Sequence, residues 1–270
     1  MLQLTKPGQP HQLSAPPIEA VGVSAGYNGE RAIENISFCL EPGSRVAVVG
    51  PNGAGKTTLF KVIAGILPLS RGRIEVHGHE PGQHLCVAYL PQRSEVDWDF
   101  PVSVSDVVMM GRIREIGLFQ WPRRADWKRV REALDQVDMA WAADRQIGDL
   151  SGGQQQRVFL AQAVAQEAEI LLLDEPLSGL DRPSQEGILD ILDRLRQSGV
   201  TVLIATHDLN LAAEHFAEVM LLNKIMISMG KPREALSRDS LLKAYGGGLH
   251  FIDDQDGSVM ADVHRHGWDH

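Results

Sequence analysis

Four short runs, SRVAVVG (44–50), HLCVAYL (84–90), EILLLD (169–174) and GVTVLIAT (199–206), are apolar at most positions and bounded by Gly, Pro or Asp. A strand without polar alternation has no face suited to water, so it must be covered on both sides. KTTLFKVIAG (56–65), QEGILDILDRLRQSG (185–199) and LNLAAEHFAE (209–218) read as helices interleaved with these runs. Apolar strands alternating with helices predict a mainly parallel sheet in an α/β fold. The first forty residues and RGRIEVHG (71–78) read instead as antiparallel strands beside that sheet. Between Gln92 and Glu169 the pattern turns helical, in SVSDVVMMGR, RADWKRVREALDQVDMAWAADRQ and SGGQQQRVFLAQAVAQEAE, with no convincing strand. The expected organisation is a core over 18–92 and 169–249, an α-helical insertion over 93–168, a disordered leader over 1–17 and a tail over 250–270. A chain of 270 residues is long enough for one core bearing one insertion.

The strand at 44–50 runs into GPNGAGKTT (50–58), which satisfies G-x-x-x-x-G-K-[ST] with a strand before it and a helix after it. Gly50, Gly53 and Gly55 let backbone amides curl around phosphate oxygens, Lys56 supplies a point charge, and Thr57 offers a hydroxyl to Mg²⁺. The helix starting at Lys56 adds its positive end. Asp174 closes another apolar strand, at the edge where open α/β sheets bind ligands, and can hold Mg²⁺. Glu175 follows and is placed to polarise a water.

LSGGQ (150–154) puts two glycines into the first turn of a helix, each costing about 1 kcal/mol against alanine. Ser151 and Gln154 fit a capping box, and a bare helix start also suits an anion.

The formal net charge of −9 argues against nucleic acid as the main partner. No apolar run approaches the roughly 20 residues that cross a bilayer, and MLQLTKPGQPHQLSAPP lacks a signal-peptide core, so a cytoplasmic chain is expected. Cys39 and Cys86 lie in strand-like runs without CxxC spacing and read as buried thiols. The basic and aromatic stretch GRIREIGLFQWPRRADWKR (111–129) reads as a solvated amphipathic face. His264, His266 and His270 could sense a metal, but a polar tail is the simpler reading.

With these residues assembled, the chain resembles the nucleotide-binding subunit of ATP-binding-cassette (ABC) transporters from about Val21 to Leu249. GPNGAGKTT looks like the Walker A loop, Gln92 in YLPQR the Q-loop glutamine and ILLLDEP Walker B. LSGGQ is identical to the family signature, SGLD (178–181) resembles the D-loop, and His207 in IATHDL resembles the switch histidine. The resemblance implies a P-loop NTPase (RecA-like) core with an N-terminal antiparallel β-subdomain and an α-helical subdomain carrying the signature. It implies ATP held by Gly50, Pro51, Asn52, Gly53, Ala54, Gly55, Lys56, Thr57 and Thr58, with Tyr27 stacked on adenine. Thr57, Gln92 and Asp174 would surround Mg²⁺, Glu175 would polarise water, and His207 would contact the γ-phosphate. Ser151, Gly152, Gly153 and Gln154 would meet ATP bound by a second copy, with Asp181 communicating across a homodimer that encloses two ATP molecules.

A single nucleotide domain without a membrane span implies separate permease chains, on the inner face of the membrane. PQRSEVDWDFPVSVSDVVMMGR (91–112), VMLLNKIMISMGKPREAL (219–236) and LLKAYGGGL (241–249) resemble the branch serving manganese, zinc or iron importers, with manganese favoured and an extracytoplasmic metal-binding protein as indirect partner. Glu95, Asp97, Trp98, Asp99 and Phe100 would line a groove for a permease helix. The alternatives are importers of haem, siderophores or cobalamin, or a soluble ABC switch acting on nucleic acid or ribosomes.

Overall fold

The computed structural model describes residues 17–82, 86–98, 100–117, 120–246, 249–253 and 259–263. The elements run β1 (Ile18–Tyr27), β2 (Glu30–Cys39), β3 (Arg45–Val49), α1 (Lys56–Ile63), β4 (Arg71–Val76) and β5 (Val87–Leu90). Helices α2 (Val104–Met110), α3 (Ile113–Ile116), α4 (Arg124–Gln136) and α5 (Gly152–Ala165) follow. The chain then forms β6 (Ile170–Asp174), α6 (Arg182–Gln197), β7 (Thr201–Thr206), α7 (Leu209–His215), β8 (Glu218–Asn223) and β9 (Ile225–Gly230). Helices α8 (Pro232–Ala235) and α9 (Arg238–Tyr245) and strands β10 (Leu249–Asp253) and β11 (Val259–Val263) close the sequence.

The apolar runs become the middle of a six-stranded sheet ordered β5-β6-β7-β3-β8-β9, parallel except for the last pair. Its two faces explain the lack of alternation in the sequence. Val46 and Val48 of β3 pack with Leu172, Leu203 and Met220 against α1, where Leu59, Phe60 and Ile63 are fully buried. Beyond them lies the antiparallel sheet β2-β1-β4. Ala47 and Val49 point to the opposite face and meet Leu171, Ile204 and Leu221 with Ile188 and Leu192 of α6. Each such large side chain, removed from water, contributes roughly 1.5–3 kcal/mol.

The stretch from 93 to 168 holds four α-helices and, among its described residues, no strand. Val104, Val108, Val130, Leu134 and Val158 join the cluster on the α6 face, so this part shares the sheet's own core.

The helix read over 124–146 stops at Gln136 and the one read over 209–218 at His215, and Cys39 is exposed rather than buried. Residues 250–270, expected as a tail, include the hairpin β10–β11, with Leu249 opposite Val263 and Phe251 opposite Ala261. Short alternation of that kind is weak evidence in a single sequence. Helix α6 begins at Arg182 rather than 185, since Asp181 is its N-cap and Pro183 fits the first turn. Residues 1–16 of the expected leader 1–17, and His264, His266 and His270, lie outside the described residues.

A candidate active site at the carboxyl ends of four strands

Strands β3, β5, β6 and β7 run in parallel and end level with one another: Val49 sits opposite Thr206, Leu90 opposite Leu173 and Asp174 opposite Ala205. Whatever follows each strand therefore emerges at one edge of the sheet. The residues that follow are the glycine loop after β3, Gln92 after β5, Glu175 after β6 and His207 after β7. They line one cavity of about 800 Å³, together with Ala32, Asp174, Ser178 and Tyr245. Pro51, Asn52, Gly53, Ala54, Gly55, Lys56, Thr57 and Thr58 form its floor.

Gly55 caps α1 at φ 95°, and a Cβ there would stand 2.4 Å from Ile33 Cγ2 and 2.7 Å from the Ala32 carbonyl. Only glycine suits both the left-handed backbone and the close approach. Lys56 folds back to donate from Nζ to the carbonyls of Gly50 (2.7 Å) and Pro51 (3.2 Å). Burial pushes its ammonium below the usual lysine range, against the opposing pull of Glu175 and Asp174. The buried Asp174 accepts a hydrogen bond from the Thr57 hydroxyl at 2.6 Å and a long one from Tyr89 at 3.5 Å. Desolvation raises the Asp174 carboxyl above the ordinary aspartate value, although the Thr57 bond and Lys56 pull it back. This end of the cavity favours a cation beside the carboxylate and an anion beside the lysine.

Glu175 has φ 52°, an uncommon value for a residue with a side chain, and its N–H donates to Ala205 O. Its Oε2 lies 2.7 Å from Nδ1 of His207. The carboxylate is largely buried while the imidazole is more than half exposed, so His207 covers Glu175 from the open side.

The sequence-predicted residues separate into two places. Gly50 contributes its carbonyl to Lys56, and the rest of the loop, with Gln92, Asp174, Glu175 and His207, meets at the cavity. Ser151, Gly152, Gly153, Gln154 and Asp181 do not line it, and neither does the half-exposed Tyr27 at the end of β1. Ser151 and Gln154 do form the capping box: Gln154 N–H donates to Ser151 Oγ, and Ser151 N–H to Gln154 Oε1. The two glycines also have a packing cause within the chain. A Cβ at Gly152 would stand 2.7 Å from Arg93 Nη1, and one at Gly153 2.7 Å from Ser184 Oγ and 2.8 Å from Ser184 Cβ.

Of the proposed docking residues, Asp99 lies outside the described residues. Trp98 packs edge-on against Phe159 at 5.2 Å, whereas Phe100 is 57% exposed; Glu95 pairs with Lys61 at 3.6 Å. Sequence reasoning missed Ala32, Tyr89, Ser178 and Tyr245. Ser178 and Tyr245 lie within SGLD and LLKAYGGGL, but only folding brings them to the cavity; the buried Tyr245 hydroxyl has no hydrogen-bond partner among the described residues.

Residues 33–178, which include the cavity floor and Asp174, match the ABC transporter family. The chain belongs to the ABC transporter ATPases. This ABC ATPase is 41% identical over 250 residues to the manganese transport system ATP-binding protein MntB of Bacillus subtilis, covering 92% of this chain and 99% of that one. It is 41% identical to the zinc transport system ATP-binding protein TroB of Treponema pallidum, over 85% and 87% of the two chains. A metal-chelate type ABC transporter solved in an inward-facing conformation superposes with a TM-score of 0.77 at 29% identity, covering 91% of this chain and 96% of that one. The ABC ATPase binds ATP and couples its hydrolysis to transport. Among the described residues no helix is long and apolar enough to cross a membrane.

No group of three His, Cys, Asp or Glu among the described residues could hold a metal unaided. The Thr57 hydroxyl, the Asp174 carboxylate and the Gln92 carboxamide are all hard oxygen donors, and the first two already touch. Such a set, with one carboxylate, fits Mg²⁺, a hard cation that completes its shell with phosphate oxygens and water.

Proposed function

We propose that this ATPase powers the import of a divalent metal ion, manganese first, through separate permease chains at the inner face of the membrane. The observation that carries the ATP chemistry is the convergence of Lys56, Thr57, Asp174, Glu175 and His207 on one cavity. The choice of cargo is supported by the Bacillus subtilis manganese relative, which aligns almost end to end; the Treponema pallidum relative makes zinc the second reading. An extracytoplasmic metal-binding protein would deliver the ion.

In this reading the loop from Gly50 to Thr58 cradles the phosphates of ATP, and Tyr27 stacks on adenine. Lys56 exchanges the carbonyls of Gly50 and Pro51 for the β- and γ-phosphates. Thr57, Asp174 and Gln92 hold Mg²⁺, which supplies positive charge against the phosphate oxygens. Glu175 accepts the proton of the water whose oxygen attacks the γ-phosphorus, as the bond to the ADP oxygen breaks. His207 fixes the Glu175 carboxylate and faces the γ-phosphate. Ser151, Gly152, Gly153 and Gln154 complete the site from a second copy, with Asp181 at the shared interface. Their position outside the cavity of their own chain supports that assignment.

Glu175→Gln should retain ATP affinity, lose at least ~10²-fold in turnover and accumulate an ATP-bound dimer. Turnover at the wild-type rate would remove Glu175 from its role. Cells lacking the gene should lose manganese uptake; a deficit confined to zinc would establish the second reading.

A further inference from the structure

Arg93 follows Gln92 directly, yet it turns from the cavity toward the start of α5. Its Nη2 donates to Gln155 Oε1 at 2.8 Å, and its Nη1 occupies the space beside Gly152 that a Cβ would need. The guanidinium lies over the Trp98 ring, 5.5 Å from the centroid, and the Arg93 carbonyl accepts from Trp98 Nε1 at 2.9 Å. Both partners are anchored. Gln155 is buried and donates to the Ile147 carbonyl at 3.1 Å, and Trp98 packs on Phe159 of α5. A cation gains nothing from the positive end of a helix. What holds Arg93 there is therefore specific bonding: a planar fork that donates to an amide while stacking on an indole.

We propose that Arg93 is a positioning residue that fixes the first turn of α5 relative to Gln92, so that a shift of Gln92 at the cavity is carried to Ser151, Gly152 and Gly153. This rests on the reading above, in which that turn meets ATP held by a second copy. Arg93 touches neither the cavity floor nor the reacting atoms. Its loss should leave ATP capture intact and impair the step that needs α5 in place.

The test uses the full chain carrying Arg93→Ala, Arg93→Lys or Gln155→Met, alone and combined. Arg93 is exposed but its loss takes a donor from the buried Gln155, so its variants should melt within about 5 °C of the parent and stay folded at the assay temperature. Arg93→Ala should lower kcat roughly tenfold with KM for ATP changed less than about twofold. Arg93→Lys should fail to restore kcat, since an ammonium cannot stack and donate in the same plane. Gln155→Met should lower kcat similarly, and the double variant should lose little more. In a Glu175→Gln background, Arg93→Ala should weaken ATP-dependent dimerisation about tenfold, read by gel filtration with light scattering. Full kcat in Arg93→Ala or Arg93→Lys, or a raised KM at unchanged kcat, overturns the inference alone. Absence of any ATP-dependent dimer in the Glu175→Gln parent overturns the underlying reading, and the inference falls with it.

Discussion

Replacing Gly153 by alanine sets two effects of opposite sign against each other. Alanine near a helix start is favoured over glycine by up to about 1 kcal/mol. The added Cβ, however, would stand 2.7 Å from Ser184 Oγ and 2.8 Å from Ser184 Cβ. Rotation about χ1 can move the hydroxyl but not the Cβ, which is fixed to the first turn of α6. Ordinary carbon contact needs about 3.5–4.0 Å, so α5 and α6 must part by most of an ångström. Overpacking of that kind costs about 1–3 kcal/mol, and the net is a loss of about 1 kcal/mol. Gly152 is the internal control. The atom nearest its virtual Cβ is Nη1 of Arg93, which can swing aside only by giving up its neighbour's bond to Gln155, so Gly152→Ala should lose at most the roughly 0.5–1.5 kcal/mol of that bond and regain part of it through alanine's helix preference. Urea unfolding of the nucleotide-free chain measures both, with Gly153→Ala/Ser184→Gly expected to recover part of the loss beyond additivity. A Gly153→Ala chain as stable as the parent, or no coupling to Ser184, would refute the packing explanation. If the first turn of α5 also meets phosphate, Gly152→Ala should lose more ATPase activity than Arg93→Ala, whose guanidinium the new methyl displaces.

Two further outcomes follow from buried titratable groups. Burial raises the Asp174 carboxyl above its ordinary 3.8, so its contribution to stability is full below that value and is lost as pH rises through the raised one. At neutral pH Asp174→Asn should therefore raise the melting temperature of the nucleotide-free protein, by about 2–4 °C per kcal/mol relieved, while weakening Mg-ATP binding; a lowered melting temperature would contradict the desolvation argument. Burial pushes the Cys86 thiol to about 12, leaving roughly one thiolate in ten thousand at pH 8. Mass spectrometry after iodoacetamide should find native Cys86 unmodified, and modification at the rate of a free thiol would show that its surroundings open.

The sheet was legible because burial on both faces leaves a strong trace: VAVV, ILLLD and TVLIAT offer no polar residue to a solvent face, and the structure buries every residue of these stretches. Strand β8 is equally apolar in its middle, but it follows α7 so closely that the helical reading of 209–218 runs into its first residue, Glu218. Cavity residues with a chemical requirement at fixed spacing, such as Lys56 and Thr57, were also legible. Ala32 and Tyr245 were not, since each reaches the cavity from a distant segment and carries no local pattern.

The parallel α/β core, the phosphate loop and the acid pair at the end of β6 can be read along the chain, because each depends on residues adjacent in it. Tertiary structure decided the rest. It set the level at which four strands end, which brings Gln92, Glu175 and His207 to one loop, and turned Glu175 at φ 52° so that it meets His207. It also assigned Gly152 and Gly153 a role in close packing that a cap and a bare backbone could not specify. Distances between segments far apart in the chain arise only when two covered faces of a sheet fix where each helix lies.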